Sequence, residues 1–302
     1  MEENKLPKEL YHYTSLETFY NIIKGKELWF FESITNYDKD EFTFFEKKLK
    51  EVFKQQFNFD CREIGRAKIS PDYSLSLTSE EDSFFHFHKY ANENTGVCIC
   101  FDTEAFTSAL KNLYHINKGN IIDAVPMSYQ NDSELGKYII QEINKTQEIF
   151  SFLKINNETN VENMLEKLHY SIYIRFAKII KRENYKIENE YRFFYNGMIA
   201  YINILLNSLN NDGYINNEKN EELRSIIKQV NEKLRLKEDF VCANGKIRRC
   251  CQINIAPIIN QNIISKIIIG SKCKNSVDDI KAFLEYNNVH VAQVVSSQIN
   301  ID

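Results

Sequence analysis

Residues 9–33, ELYHYTSLETFYNIIKGKELWFFES, press a strand, a helix and a second strand into one short stretch, which commits the chain to a mixed α and β architecture from its start. ELYHYTS and ELWFFES are rich in aromatic residues that suit a pleated surface. Between them SLETFYNIIK places Leu16, Phe19, Ile22 and Ile23 on one stripe of a helix, with Ser15 as N-cap and Gly25 as the C-terminal stop.

The same alternation recurs down the chain. A charged helix is predicted around 39–57, and DYSLSLTS (72–79) alternates strictly, with Ser74, Ser76 and Thr78 on one face and Tyr73, Leu75 and Leu77 on the other. DSFFHFHKYAN (82–92) reads as a helix capped by Asp82 or Ser83, and GVCICFD (96–102) as a buried strand opened by Gly96. Strand and helix then alternate through TEAFTSALKNL and NIIDAVPMSY. Two long amphipathic helices follow in 133–182, then ENEYRFFYN (188–196) as a strand, two helices at about 199–209 and 219–236, and a tail of alternating strand and helix from CCQINIAP through SVDDIKAFLEY to VHVAQVV. No repeat and no low-complexity linker divides the chain. The expectation is one α+β domain over residues 1–302, a twisted mixed sheet with helices around it and helical insertions at about 133–182 and 199–236.

Composition narrows the function classes. Lys and Arg number 38 against 42 Asp and Glu, so a net charge of −4 offers no global field for coating a nucleic acid. The opening MEENKLPKEL lacks an apolar signal core, and no apolar run approaches the roughly 20 residues that span a bilayer, which predicts a cytoplasmic protein with no membrane partner. The seven cysteines form no C-x-x-C pair, six of them lie in or beside β-like or apolar segments, which reads as reduced, buried thiols, and no zinc site is expected. P-loop, Rossmann and G-x-S-x-G patterns are absent, which removes the usual support for kinase, dehydrogenase and hydrolase readings.

The informative feature is a set of polar residues at i, i+2, the spacing that shares one face of a strand. Three segments carry it: His12 and Thr14; Ser76 and Thr78; Glu188 and Glu190, followed in register by Arg192. Any half-exposed strand alternates in this way, so each pair alone also reads as a solvated face. Convergence of all three would make a cleft floor with an imidazole, hydroxyls and a carboxylate pair. Carboxylates there could hold a cation or stabilise an oxocarbenium-like transition state, Arg192 could keep one of them ionised, and the imidazole and hydroxyls could fix ribose hydroxyls or a pyrophosphate. This set suits a nucleotide-sugar ligand.

Other constellations are less specific. HFH (86–88) suggests metal ligands, but positions i and i+2 diverge around a helix, so no metal is expected there. DKDE (38–41) offers Asp38, Asp40 and Glu41 for a metal-dependent nuclease, although a solvated charge run explains it as well. KIRRCC (246–251) and KIIKRENYK (178–186) are the compact basic clusters, suited to a phosphate-bearing acceptor or to guarding a strand edge.

Four segments, LYHYTSLETFYNIIKGKELWF (10–30), SLSLTSEEDSFFHFHKYANENTGVCICFD (74–102), YKIENEYRF (185–193) and ISKIIIGSKCK (264–274), resemble the landmarks of a bacterial family, the domain of unknown function 2971 group. The family's Asn-Asp-Pro after the second strand is replaced here by NYDKDEF (36–42), and its helix tryptophan by Phe87. HYT (12–14), SLSLTS (74–79) and ENE (188–190) are also similar, in order and in element, to the motifs of ADP-ribosyltransferases. That resemblance implies an ADP-ribosyltransferase-like fold and NAD as substrate. His12 and Thr14 would hold the adenosine-side ribose or the nicotinamide amide, and Tyr90 or Tyr13 would stack on the nicotinamide ring. Glu190 would bind the nicotinamide ribose and stabilise the oxocarbenium ion, and Glu188 would orient the acceptor. The expectation is an NAD-consuming enzyme or toxin serving anti-phage defence, with a protein or nucleic acid as acceptor and a regulatory protein to restrain it. The rivals are a non-enzymatic module binding a nucleotide or a phage component, and the metal-dependent nuclease.

Overall fold

The opening stretch folds as β1 (Glu9–Thr14), α1 (Leu16–Gly25) and β2 (Glu27–Glu32) in a computed structural model that describes residues 6–32, 39–62, 73–113, 122–152, 161–195, 237–243 and 246–300. Ser15 caps α1 as expected, its Oγ accepting the Thr18 N–H at 3.1 Å. The stop differs by one residue. Gly25 stays helical, and Lys26 takes the left-handed conformation at φ 50° with its N–H on the Ile22 carbonyl. β2 pairs with its neighbour from Glu27 onward, so the chain must reverse at residue 26, where a lysine accepts the cost of a positive φ.

Then come α2 (Lys39–Phe57), β3 (Tyr73–Thr78), α3 (Phe84–Tyr90), β4 (Val97–Asp102), α4 (Thr103–Leu113), β5 (Ile122–Pro126), β6 (Ser128–Gln130), α5 (Asp132–Phe152), α6 (Val161–Phe176) and β7 (Ile180–Arg182). A 3-10 turn (Glu183–Glu188), β8 (Glu190–Tyr195), β9 (Lys237–Ala243), β10 (Lys246–Asn254), β11 (Ile264–Ile269), α7 (Val277–Tyr286) and β12 (Gln293–Ser296) complete the described elements. The class is α+β. Residues 199–236, where helices were expected, lie outside the described residues. No described helix is long and apolar enough to cross a membrane.

The described residues divide into two units, Met1–Glu32 with Pro71–Val125 and Glu188–Asp302, and Ser33–Ser70 with Pro126–Ile187. The first unit is built on a mixed sheet in the order β12-β11-β4-β1-β3-β2-β10-β9, with β8 on β3 and β5 on β8. β11 and β12 run parallel, while β1, β3, β4 and β8 pair antiparallel. β3 has three partners. β8 runs along its whole length, from Tyr73 opposite Tyr195 to Thr78 opposite Glu190, and so occupies one edge. β1 meets the other edge at Thr78 through Tyr11, and β2 meets it at Ser74 and Tyr73 through Phe31 and Glu32. β1 and β2 therefore diverge from opposite ends of one strand edge and leave a split between them.

Residues paired directly across antiparallel strands share a face. One face carries Leu10, Leu75, Leu77, Val97, Ile99, Phe101 and Phe193, which form the main core with Phe19, Ile22 and Ile23 of α1 and Ile280 and Leu284 of α7. On the other face Tyr11, Tyr13, Cys98, Cys100 and Ile268 pack with Phe87 and Ala91 in and beside α3. Gly96 joins α3 to β4 where the backbone is tight: a Cβ there would stand 2.2 Å from the Thr14 carbonyl oxygen and 3.0 Å from that of Ala91.

The second unit holds α2, α5 and α6 with the parallel pair β6 and β7. Phe45, Leu49 and Phe53 of α2, Leu135 and Ile139 of α5, and Leu168 and Ile172 of α6 form its core. His169 sits in that core at 3% exposure, with its ring edge-on to Phe53 and with no hydrogen-bond partner on Nε2 among the described residues. Burial, aided by Lys50, pushes its pKa down from 6.5 to about 4.

Two outcomes follow from these packing features. Gly96→Ala should lower stability by about 2–4 kcal/mol in urea unfolding, because the nearest atom is a backbone oxygen that cannot swing aside, and a loss within about 0.5 kcal/mol would refute the tight approach. His169 has a folded pKa below its unfolded one, so its neutral form is fully stabilising above pH 6.5 and the contribution disappears as pH falls toward 4. The expected loss is up to about 3 kcal/mol across that window, absent in His169→Met. Parallel pH dependence in the two proteins would refute it.

Candidate functional site

β3 and β8 bring two of the three polar sets together. Thr78 lies opposite Glu190 and Ser76 opposite Arg192, so all four side chains project from the face that also carries Tyr11 and Tyr13. Ser76 is exposed, whereas Thr78, Glu190 and Arg192 are buried. Glu190 and Arg192, two residues apart on β8, form a two-pronged ion pair: Arg192 Nε donates to Oε1 at 2.7 Å and a terminal nitrogen donates to Oε2 at 3.2 Å. Arg192, at 1% exposure, heads the largest fully buried side chains of the described residues. A carboxylate and a guanidinium can share such a site only as partners, since each compensates the other's lost hydration.

The third pair is not where the strand pattern placed it. Tyr11 pairs with Thr78 and His12 pairs with Ile99, so His12 and Thr14 occupy the opposite, core-facing side of the sheet. Their strand alternates as expected, but the register between strands is one residue away from the one that would unite the faces. His12 instead works at the split. Its Nδ1 lies 3.1 Å from the carbonyl oxygen of Ser76, the residue midway between the points where β1 and β2 join β3. A carbonyl only accepts, so Nδ1 carries the hydrogen and Nε2 of the neutral ring is an acceptor. Burial lowers the pKa of this half-buried imidazole, which the Ser76 bond opposes.

Glu188 also departs from the prediction. It ends the 3-10 turn rather than lying on β8, and Asn189 at φ 41° separates it from Glu190. The two carboxylates therefore do not form an i, i+2 strand pair. Glu188 Oε1 accepts from the Tyr90 hydroxyl and from Lys89 Nζ, both at 2.6 Å, and its main-chain carbonyl accepts from Thr78 Oγ1 at 2.8 Å. Asn189 Nδ2 donates to Glu80 at 2.7 Å. Tyr90 thus borders Glu188 as a half-buried hydrogen-bond donor. Tyr13 is committed to the fold: its hydroxyl donates to the Glu80 carbonyl at 2.8 Å and accepts the Ser83 N–H at 2.9 Å.

The histidines of HFH diverge as helix geometry requires. His86 is buried, and His88 is exposed and stacked on Phe84 at 5.8 Å. Sequence reasoning weighed His86 only as a metal ligand and missed its part in this network. The signal available was Ser83 three residues earlier, where a cap was expected; Ser83 makes no side-chain cap bond and meets His86 Nδ1 at 2.9 Å. Among the described residues no group of three or more His, Cys, Asp or Glu could hold a metal ion. Asp38 and the side chains of Asp40 and Glu41 lie outside the described residues.

The basic clusters are drawn into the fold. β10 pairs with β9 from Lys246 to Gln252 and with β2 only from Cys250 onward, so of KIRRCC only Cys250 and Cys251 lie between two described strands. Arg248 is buried with its guanidinium 3.9 Å from the centre of the Phe31 ring, and Arg249 lies 3.8 Å from Glu32. Lys181 and Arg182 lie over the Tyr185 and Phe44 rings. Cys98, Cys100, Cys250 and Cys251 are buried free thiols, whereas Cys242 is exposed, against the expectation of burial.

Residues 87–193 match the model of DUF2971, a family described as a protein of unknown function. That segment is similar to DUF2971. The matched segment runs from α3 to Phe193 of β8, so it contains Tyr90, Glu188, Glu190 and Arg192 and leaves β1 and β3 outside. No curated protein and no solved structure matches the chain. DUF2971 thus agrees with the family resemblance read from the landmarks, and the likeness to ADP-ribosyltransferases has no matching structure behind it.

Arg192→Met should cost about 3 kcal/mol or more in urea unfolding, since it strips the buried Glu190 of its two-pronged partner, and Arg192→Met/Glu190→Gln should recover a large part of that. Additive losses in the double variant would show that the pair is not coupled.

Proposed function

We propose that the polar face of β3 and β8, beside the split between β1 and β2, binds a nucleotide, and that the protein acts on NAD as an ADP-ribosyltransferase-like enzyme. The observation that carries this reading is the gathering of Ser76, Thr78, Glu190 and Arg192 on one face, with Glu188 and Tyr90 at its border. Points where neighbouring strands part are natural ligand crevices, because main-chain groups there lack a strand partner. Arg192 offers the planar fork that a pyrophosphate takes in two hydrogen bonds. A pyrophosphate that takes some of the Arg192 donors while the guanidinium stays beside Glu190 would leave that carboxylate ionised in a water-poor site. In NAD the bond between ribose C1′ and the nicotinamide nitrogen breaks, nicotinamide leaves with the electron pair, and the cationic C1′ is stabilised by the carboxylate. The acceptor then adds to C1′ and releases its proton. His12 and Thr14 play no part on this face; His12 Nε2 is an acceptor at the split itself.

The closure of Glu190 on Arg192 favours a second reading, a nucleotide-binding module with no turnover. Nicotinamide release separates the two, measured for the wild type and for Glu190→Gln with and without protein and nucleic-acid fractions of a lysate, alongside calorimetric binding of NAD. Release that falls by about two orders of magnitude in Glu190→Gln supports the enzyme. Binding without release supports the module, and neither binding nor release in any fraction rejects both.

A further inference from the structure

We infer that His86 is a positioning residue for Glu188, holding the turn that sends the Glu188 and Glu190 carboxylates to different partners. His86 is 2% exposed. Its Nε2 lies 3.1 Å from the Glu188 carbonyl oxygen, and its Nδ1 lies 2.9 Å from Ser83 Oγ. The carbonyl fixes the proton on Nε2, so in the neutral ring Nδ1 accepts from the Ser83 hydroxyl. The ring plane is set as firmly as the tautomer: Tyr13 stacks on it at 5.2 Å and 27°, and Phe85 meets it edge-on at 5.1 Å and 86°.

The bond from His86 acts on the main chain, not on the carboxylate. Together with Thr78 Oγ1 it gives the Glu188 carbonyl two donors, one from α3 and one from β3. Asn189 follows at φ 41°, a left-handed conformation that asparagine tolerates better than most side chains. Past that kink, Glu190 enters β8 and meets Arg192, while the Glu188 side chain stays on the α3 side with Tyr90 and Lys89. The same helix thus supplies the group that pins the Glu188 backbone and the two groups that hold its carboxylate.

The charged groups around the ring pull in opposite directions. The Glu188 and Glu80 carboxylates favour a proton on His86 and Lys89 opposes one, but burial outweighs them and lowers the imidazole pKa below 6.5. Tyr13, which stacks on the ring, has its phenol pushed up by burial and stays neutral beside it. The clamp therefore works as a neutral imidazole.

The inference rests on Glu188 belonging to the proposed site, and its test keeps the two apart. In the full chain labelled with 15N histidine, long-range NMR should find His86 as the neutral Nε2–H tautomer, with its titration displaced below pH 6.5. His86→Leu should shift the Tyr90 ring and Glu188 carboxyl signals, and His86→Gln, which keeps an N–H donor, should largely restore them. Nicotinamide release should lose about tenfold in kcat with little change in KM in His86→Leu, and recover in His86→Gln. An Nδ1–H tautomer, ordinary titration near pH 6.5, or unmoved Tyr90 and Glu188 signals in His86→Leu would overturn the inference. Should the signals move as expected in a protein that neither binds nor cleaves NAD, the positioning role stands and the nucleotide reading fails. The wild-type tautomer decides the matter if His86→Leu does not fold.

Discussion

The sharing of one edge of β3 by two strands is the constraint from which the rest of the first unit follows. β8 fills the opposite edge along its length, so β1 and β2 must divide what remains, and they do so at opposite ends. One strand then leads to β4, β11 and β12, and the other to β10 and β9. α1 joins the two arms, and Phe19, Ile22 and Ile23 bury it in the main core. Ser76 is left between the arms with its carbonyl facing no strand, and His12 meets it. Leaving a buried or half-buried carbonyl without a donor costs about 1–3 kcal/mol, which explains a polar residue on an otherwise core-facing run.

Elements were legible where the signal is local. The Ser15 cap, the stripe of α1, the alternation of β3, the burial of GVCICFD and the helix from SVDDIKAFLEY, whose Ser276 and Asp279 close a capping box, all depend on neighbours within a few residues. The divergence of β1 and β2 was not legible, because three partners for one strand leave no mark on that strand's own alternation. The same holds for register. His12 and Thr14 share a face, and so do Ser76 and Thr78, but whether those faces coincide depends on Tyr11 meeting Thr78, a pairing 67 residues apart in the chain.

Part of the polar set gathers on one face and part does not. Ser76, Thr78, Glu190 and Arg192 do meet, and Glu188 and Tyr90 touch each other. What failed was the assumption that ENE is one strand. Asn189 carries a conformation that asparagine enters more readily than most side chains, so the cue was present in the residue type. It was masked by the strong strand character of EYRFFY immediately after it. His86 was weighed only for metal binding, although a serine three residues earlier is also a hydrogen-bond partner for a helical histidine.

The pairing pattern also orders events in time. Trp29 on β2 hydrogen-bonds within the sheet opposite Gln252, and Ile99 on β4 lies opposite Ile267. A ribosome making this chain releases β1, β2 and β4 long before β10 and β11 exist, so two strand edges and much of the apolar face wait uncovered during synthesis. Until β9, β10 and β11 are made, the sheet of the first unit is incomplete at both of these margins. Open strand edges of this kind are where an unfinished chain pairs wrongly most readily, so the order of synthesis decides which surfaces stay exposed until β10 and β11 emerge.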